Sequence, residues 1–219
     1  MKISRFILTA LGALTFVSAA TAQSTGARMH DGFFLSISPG IAFGESKADL
    51  FEAAGSWDNI TYSGPGGILD LKIGGAIAPN LILSGDFIGR SVSGPKAQSV
   101  GGTEDLDNDV VLADGTLGLG LTYYVMPANI FFSGTVGVGR FVLTNPTDDA
   151  DDDESIETNP GLSIHAKIGK EFWVSDNWGL GVAAGYGWLG AKRDESSDAD
   201  FNGEYSSHKF YVLFNTTFN

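Results

Sequence analysis

The stretch WGLGVAAGYGWLG, residues 178–190, places Trp178, Leu180, Val182, Ala184, Tyr186 and Trp188 on alternate positions, with Gly179, Gly181, Ala183, Gly185 and Gly187 between them. Successive side chains of a strand point to opposite faces of the sheet. This segment therefore has one bulky apolar face and one nearly bare face. A soluble sheet normally sets apolar bulk against a core and polar residues against water, and bulk opposite bareness does not fit that division.

Seven more segments repeat the alternation, at residues 32–43, 66–77, 81–91, 110–125, 130–143, 161–174 and 207–218. Each is long enough for a tilted strand to cross a bilayer, which takes about 9–11 residues. The connections between them alternate in kind. Residues 78–80, 126–129 and 175–177 are short and rich in Pro, Asn, Asp and Ser, the residues that tight turns need. Residues 44–65, 92–109, 144–160 and 191–206 are long and acidic. Short turns at one end and long loops at the other are the pattern of an outer-membrane barrel, whose turns are periplasmic and whose loops are extracellular. The fold class read from the sequence is all-β, an eight-stranded antiparallel up-and-down transmembrane β-barrel with both chain ends on the periplasmic side.

Energy decides which face meets lipid. The apolar set includes Phe33, Ile37, Ile41, Leu71, Ile73, Leu83, Phe87, Leu117, Leu119, Leu121, Val136, Val138, Ile164, Ile168, Val212 and Phe214. Opposite it lie Ser36, Ser38, Asp70, Lys72, Ser84, Asp86, Arg90, Thr116, Thr122, Ser133, Thr135, Ser163, His165, Lys167, Glu171, Asn215 and Thr217. A basic residue facing lipid at mid-bilayer costs roughly 2–4 kcal/mol, so the charged face is the lumen. Arg140 and Lys170 fall on the apolar face toward strand ends, where a long side chain snorkels to the headgroups. Paired residues share a face, so a three-residue turn at 78–80 sets Ile77 against Leu81 and Lys72 against Asp86. By the same rule Val174 faces Trp178, and Glu171, Lys167 and His165 fall against Gly181, Gly185 and Gly187.

Bulk properties agree with export. Lys2 and Arg5, the apolar run at residues 6–17 and an Ala20-Thr21-Ala22 site before Gln23 read as a signal peptide over residues 1–22, leaving 23–219 as the barrel domain. The formal charge of −13 excludes a nucleic-acid partner. No cysteine is present, so disulfides and thiolate metal sites are absent. Beyond the signal no apolar run reaches the roughly 18 residues of a transmembrane helix. Glycine, at 30 of 219 residues, is about twice its usual ~7% share, which favours closely approaching strands over helices.

Several constellations are candidates for chemistry. Asp70, Lys72, Asp86, Arg90, Asp114, Lys167 and Glu171, with His165 beside them, form an inward charge network. It lines a narrow ion path if a gap remains; it is a plug if the charges pair, as buried charges do, in an eight-strand interior just wide enough for side chains. The plug is preferred. Asp148, Asp149, Asp151, Asp152, Asp153 and Glu154 are clustered hard oxygen ligands suited to Ca²⁺ or to bridging lipopolysaccharide phosphates through divalent cations. They lack EF-hand spacing and otherwise read as a solvated like-charge loop. His30, His165 and His208 show no Ser and acid pattern that marks a triad, so no catalytic residue is assigned. Tyr123, Phe132, Phe172, Trp178 and Phe218 toward the turn end, and Trp188 and Phe210 toward the loop end, would make aromatic girdles, although strands favour aromatics anyway.

With its alternating strands, the hairpin EFWVSDNWG at 171–179 and the closing stretch FYVLFNTTFN at 210–219, the chain resembles the small outer-membrane β-barrel family of the OmpX and OmpA-barrel kind. The resemblance covers residues 32–219. It implies a barrel in the outer membrane of a Gram-negative bacterium, inserted by the barrel-assembly machinery, which in this family reads a terminal aromatic residue; here Asn219 follows Phe218. The expected protein is a monomer with a filled lumen, acidic extracellular loops and contacts to outer-membrane lipid and lipopolysaccharide. It uses no cofactor, is not an enzyme, and has a structural or surface-interaction role. The alternatives are a narrow porin-like channel, a rim-located membrane enzyme, and a soluble lipocalin-like binder with the alternation inverted.

Overall fold

The computed structural model describes residues 28–51, 57–145, 154–192 and 203–219. Eleven strands follow in order: β1 (Phe33–Phe51), β2 (Trp57–Ala78), β3 (Leu81–Ser93), β4 (Lys96–Ser99), β5 (Gly102–Asp105), β6 (Val111–Val125), β7 (Ile130–Asn145), β8 (Glu154–Glu157), β9 (Gly161–Trp173), β10 (Trp178–Lys192) and β11 (Glu204–Phe218). Eight of them, β1, β2, β3, β6, β7, β9, β10 and β11, pair antiparallel with their neighbours around a ring. The ring closes where β1 pairs β11, for example Ile41 with Val212. Closure leaves no open sheet edge within hydrocarbon, which is what allows strands to span a membrane. No helix among the described residues is long and apolar enough to cross one.

Alternation sets the two faces. Inward positions are buried on every wall strand, whereas outward apolar side chains are exposed around the whole ring, Leu119 at 70% and Phe210 at 66% among them. An apolar surface this extensive is far beyond what a water-soluble monomer presents, so it is a lipid-facing belt. The inverted alternation of a lipocalin-like binder is thereby excluded.

The strands are longer than the lipid-facing alternation suggests. β1 and β2 stay paired up to Phe51 and Trp57, so most of the loop expected at 44–65 is hairpin. The apolar belt stops at Phe43, where outward residues become Glu45 and Lys47, but the strand continues into water with Ser46 and Ala48 buried inside. Residues 92–109, expected as a loop, contain β4 and β5; β4 pairs β2 through Thr61 and Gln98, and β5 pairs β4. β8 similarly pairs β7 through Val142 and Glu157.

The first short turn is tighter than expected. The ladder reaches Ala78 and Leu81, and the extra residue, Ile77, is absorbed in a bulge between Ala76 and Ala78. Asn80 takes a left-handed φ of 64° there, a conformation Asn tolerates better than most residues. Because the bulge compensates for the shorter turn, Lys72 still pairs Asp86.

The lumen is richer in large apolar groups than the charged list implies. Phe34, Ile82, Ile88, Tyr124, Phe131, Tyr211 and Leu213 are buried inside, as are Val92, Leu112, Phe141 and Tyr205 toward the loop end. A small barrel has too little interior volume for water to solvate isolated charges, so apolar rings fill the space between polar layers.

Candidate functional site

Two ionic clusters occupy the lumen. In the first, Lys72 of β2 bonds Asp86 of β3, donates to Thr135 Oγ1 at 3.1 Å and lies 3.9 Å from Asp70 Oδ1. Lys167 Nζ of β9 donates to Asp70 Oδ2 across the barrel at 2.7 Å. Ser84 Oγ donates to Asp86 Oδ1 at 2.6 Å, and Thr135 Oγ1 bonds the other oxygen. In the second cluster, Arg90 Nε donates to Asp114 Oδ2 at 2.7 Å, and Lys209 bonds the remaining Asp114 oxygen. Arg90 Nη2 reaches Ser46 Oγ at 2.8 Å and Ser207 Oγ at 3.3 Å.

Lys209 was not among the charges singled out from sequence, although its place between outward His208 and outward Phe210 already makes it inward. With it, four bases (Lys72, Arg90, Lys167, Lys209) balance four acids (Asp70, Asp86, Asp114, Glu171), all of them buried. Among the described residues Glu171 has no cation in bonding range. Its carboxylate accepts instead from Tyr124 Oη at 3.1 Å, Asn215 Nδ2 at 2.5 Å and Thr217 Oγ1 at 2.8 Å.

His165 lies beside both clusters, paired with Thr135 and close to Lys209 across Gly187. Its Nε2 is 3.2 Å from both Thr116 Oγ1 and Ser163 Oγ and, among the described residues, is not bonded to a charged group. Its Nδ1 is buried with no hydrogen-bond partner. The Ser163–His165 pair therefore lacks the orienting acid of a triad and is enclosed by the wall. Outside, Tyr186 Oη lies 2.5 Å from His208 Nδ1.

Glycines make the lumen fit. Glu171, Lys167 and His165 pair Gly181, Gly185 and Gly187. At Gly120 a Cβ would lie 2.6 Å from Asp86 Cγ, and at Gly187 it would lie 2.5 Å from His165 Nδ1. Gly120→Ala is expected to cost about 1–3 kcal/mol by overpacking. Gly115→Ala, whose Cβ would meet nothing within 4 Å, is expected to be close to neutral. Urea unfolding of both variants in lipid vesicles checks the contrast.

Tyr123, Phe132, Phe172, Trp178 and Phe210 are exposed on the outer face, while Trp188 and Phe218 are partly covered. Trp178 packs edge-on against Phe218 with ring centres 5.2 Å apart, and Phe210 packs on Tyr186 at 5.0 Å. The two cations on the apolar face, Lys170 and Arg140, each reach a polar partner, and Lys170 Nζ also lies 5.1 Å from the centre of the Phe172 ring. Lys170 Nζ donates to the Ala128 carbonyl at 2.6 Å, and Arg140 Nη1 meets Glu157 Oε2 at 3.4 Å. Of the acidic cluster, Asp148, Asp149, Asp151, Asp152 and Asp153 lie outside the described residues, as do the side chain of Glu154 and residues 1–22, expected from sequence as a signal peptide. Among the described residues no group of three metal-ligating side chains gathers.

At the turn end lies His30, which precedes β1 yet is 0% exposed. Its ring stacks on Tyr124 with centres 3.5 Å apart and lies 4.9 Å from the Trp173 ring. Its Nδ1 is 2.7 Å from Asn219 Oδ1, and its Nε2 is 2.9 Å from Asn129 Oδ1. Burial lowers its pKa from the ordinary value, against opposing contributions from Asn129, Asn219 and Asp31.

No family model matches the sequence, and no curated protein matches it. Solved structures do match the fold. The outer membrane protein OprG from Pseudomonas aeruginosa aligns with a TM-score of 0.54 and 13% identity, covering 87% of this chain and 98% of that one. Neisserial surface protein A aligns at 0.50 and 11%, covering 84% and 96%. The outer membrane protease OmpT from Escherichia coli aligns at 0.48 and 10%, covering 86% and 97%. At such identities the likeness is one of fold. The closed eight-strand wall and its apolar belt define an integral outer-membrane β-barrel. A fold does not fix a function, so chemistry has to be read from the site itself.

Proposed function

We propose that this chain is a sealed, non-conducting barrel of the cell envelope, with a structural or surface-interaction role exerted through its extracellular strands and acidic loops. The observation that carries the proposal is the lumen. Seven of its eight charged side chains are ion-paired, the eighth is held by three donors, and large apolar side chains fill the layers between and beyond them. Opening a water-filled path requires breaking buried pairs, each at a cost of about 3–5 kcal/mol when one partner is left behind. The proposed protein is a monomer that needs no cofactor and performs no catalysis. Its outer face meets lipid and lipopolysaccharide after insertion by the barrel-assembly machinery.

Planar-bilayer recording of the purified full chain tests the seal. The expected trace stays at baseline under applied voltage. Steady openings whose size changes in Lys72→Ala or Asp86→Ala would instead identify a narrow channel lined by the first ionic cluster.

A further inference from the structure

We propose that residues 28–32 form a strap that closes the periplasmic mouth of the barrel, fastened by His30 and unfastened by acid. The strap lies outside the strand ladder but is bonded to three different parts of the rim. The Arg28 amide donates to the Asp176 carbonyl at 3.1 Å, the Asn80 amide to the His30 carbonyl at 3.0 Å, and the Ala76 amide to the Gly32 carbonyl at 2.8 Å. The imidazole adds the anchoring contacts. It touches Tyr124 of β6, Trp173 of β9, Asn129 in the turn between β6 and β7, and Asn219 beyond β11. One ring thus joins the segment before the first strand to the residue after the last, across the seam where β1 meets β11.

The protonation state follows from the bonding. A neutral imidazole has one donor and one acceptor nitrogen. Rotating one of the two facing carboxamides makes its Nδ2 the donor to the acceptor nitrogen, and amide orientation is an assignment that the bonding itself must decide. The rotation breaks no other bond among the described residues, where Asn129 Nδ2 and Asn219 Nδ2 have no hydrogen-bond partner otherwise. The neutral ring is then satisfied at both nitrogens in a fully buried site.

The groups around the ring do not offset the cost of burying a cation there. Asp31 and Arg28 belong to the strap itself; Glu171 of β9 lies behind the ring, bonded to Tyr124 Oη. Lys170 is turned to the Ala128 carbonyl next to Asn129, and Asp176 lies in the turn that holds Arg28. Burial outweighs the polar contacts, so the fastened strap holds His30 below its ordinary pKa. A released strap exposes a histidine with the ordinary value of about 6.5. Release therefore takes up a proton. The strap is at full strength above that pH and weakens as pH falls below it, toward the depressed value of the fastened state.

The chain contains no cysteine, so an Arg28→Cys variant carries a single spin label at an exposed strap position. In the folded barrel in lipid vesicles, the label is expected to be immobile at pH 8. Below about pH 6.5 its mobile population should rise by up to about tenfold per pH unit, as one-proton linkage requires. With His30→Phe or His30→Gln added, mobility should be higher at pH 8 and independent of pH. Retained heat-modifiable migration on gels confirms a folded barrel in each sample. A wild-type label that stays immobile down to pH 4.5 would overturn the proposal, as would a pH transition that survives in both His30 variants.

Discussion

Asp114→Asn is expected to destabilise the barrel by about 3–5 kcal/mol, the cost of leaving buried charge uncompensated. Asp114 is the sole acid between Arg90 and Lys209, and all three side chains are at most 1% exposed. The amide keeps the shape and loses the charge, so two desolvated cations remain in one layer. Lys209→Met is expected to cost less than half as much, because the Arg90–Asp114 pair survives with Ser46 and Ser207 still on the guanidinium. Adding Lys209→Met to Asp114→Asn should recover part of the loss, since it removes one of the stranded cations. Equilibrium urea unfolding in lipid vesicles measures all three. Equal losses for the two single variants would mean that the cluster is solvated and the lumen wet.

Leu119→Arg is expected to cost roughly 2–4 kcal/mol in a bilayer. Leu119 lies on β6 between Leu117 and Leu121 and is among the most exposed apolar side chains of the belt, so the guanidinium has far to travel to a headgroup. Arg140→Leu is expected to change stability by less than about 1 kcal/mol, because its partner Glu157 is itself half exposed and such pairs contribute little. The same unfolding assay reads both. A neutral Leu119→Arg would place β6's odd positions away from hydrocarbon and contradict the belt.

Much of the wall was legible because lipid imposes a strict period of two. Leu117, Leu119, Leu121, Tyr123 and Val125 announce a strand and its outer face together, and the turn at 175–177 then sets which glycine receives Glu171, Lys167 or His165. What was harder to read lies where lipid no longer dictates outward residues. Beyond Phe43, the residues at 44–49 are polar or small on both faces of β1, so the apolar alternation that marks the strand is lost there. β4 and β5, four residues each, add too few positions to show alternation. Inside, Phe34, Phe131 and Tyr124 share inward parity with Ser36, Ser133 and Thr122, so parity places them in the lumen once charge stops being the sole marker of that face. Ile77 was hidden by the opposite effect, because the bulge at the first turn restores the Lys72–Asp86 register that a longer turn would have produced. His30 carried no pattern at all. Its role depends on Asn129 and Asn219, which are brought to it only by barrel closure.

On β6 the partition of one strand into a lipid face and a dry interior is tested most directly. Because the chain has no native thiol, single cysteines at Leu117, Leu119, Leu121, Thr116 and Thr122 are each unique. In folded protein in vesicles, cysteines at Leu117, Leu119 and Leu121 should react with a membrane-soluble maleimide and resist a charged aqueous methanethiosulfonate, while those at Thr116 and Thr122 should resist both. Aqueous labelling at Thr116 and Thr122 would reveal a water-filled lumen, and membrane-phase labelling there instead of at the leucines would show that the two faces are reversed.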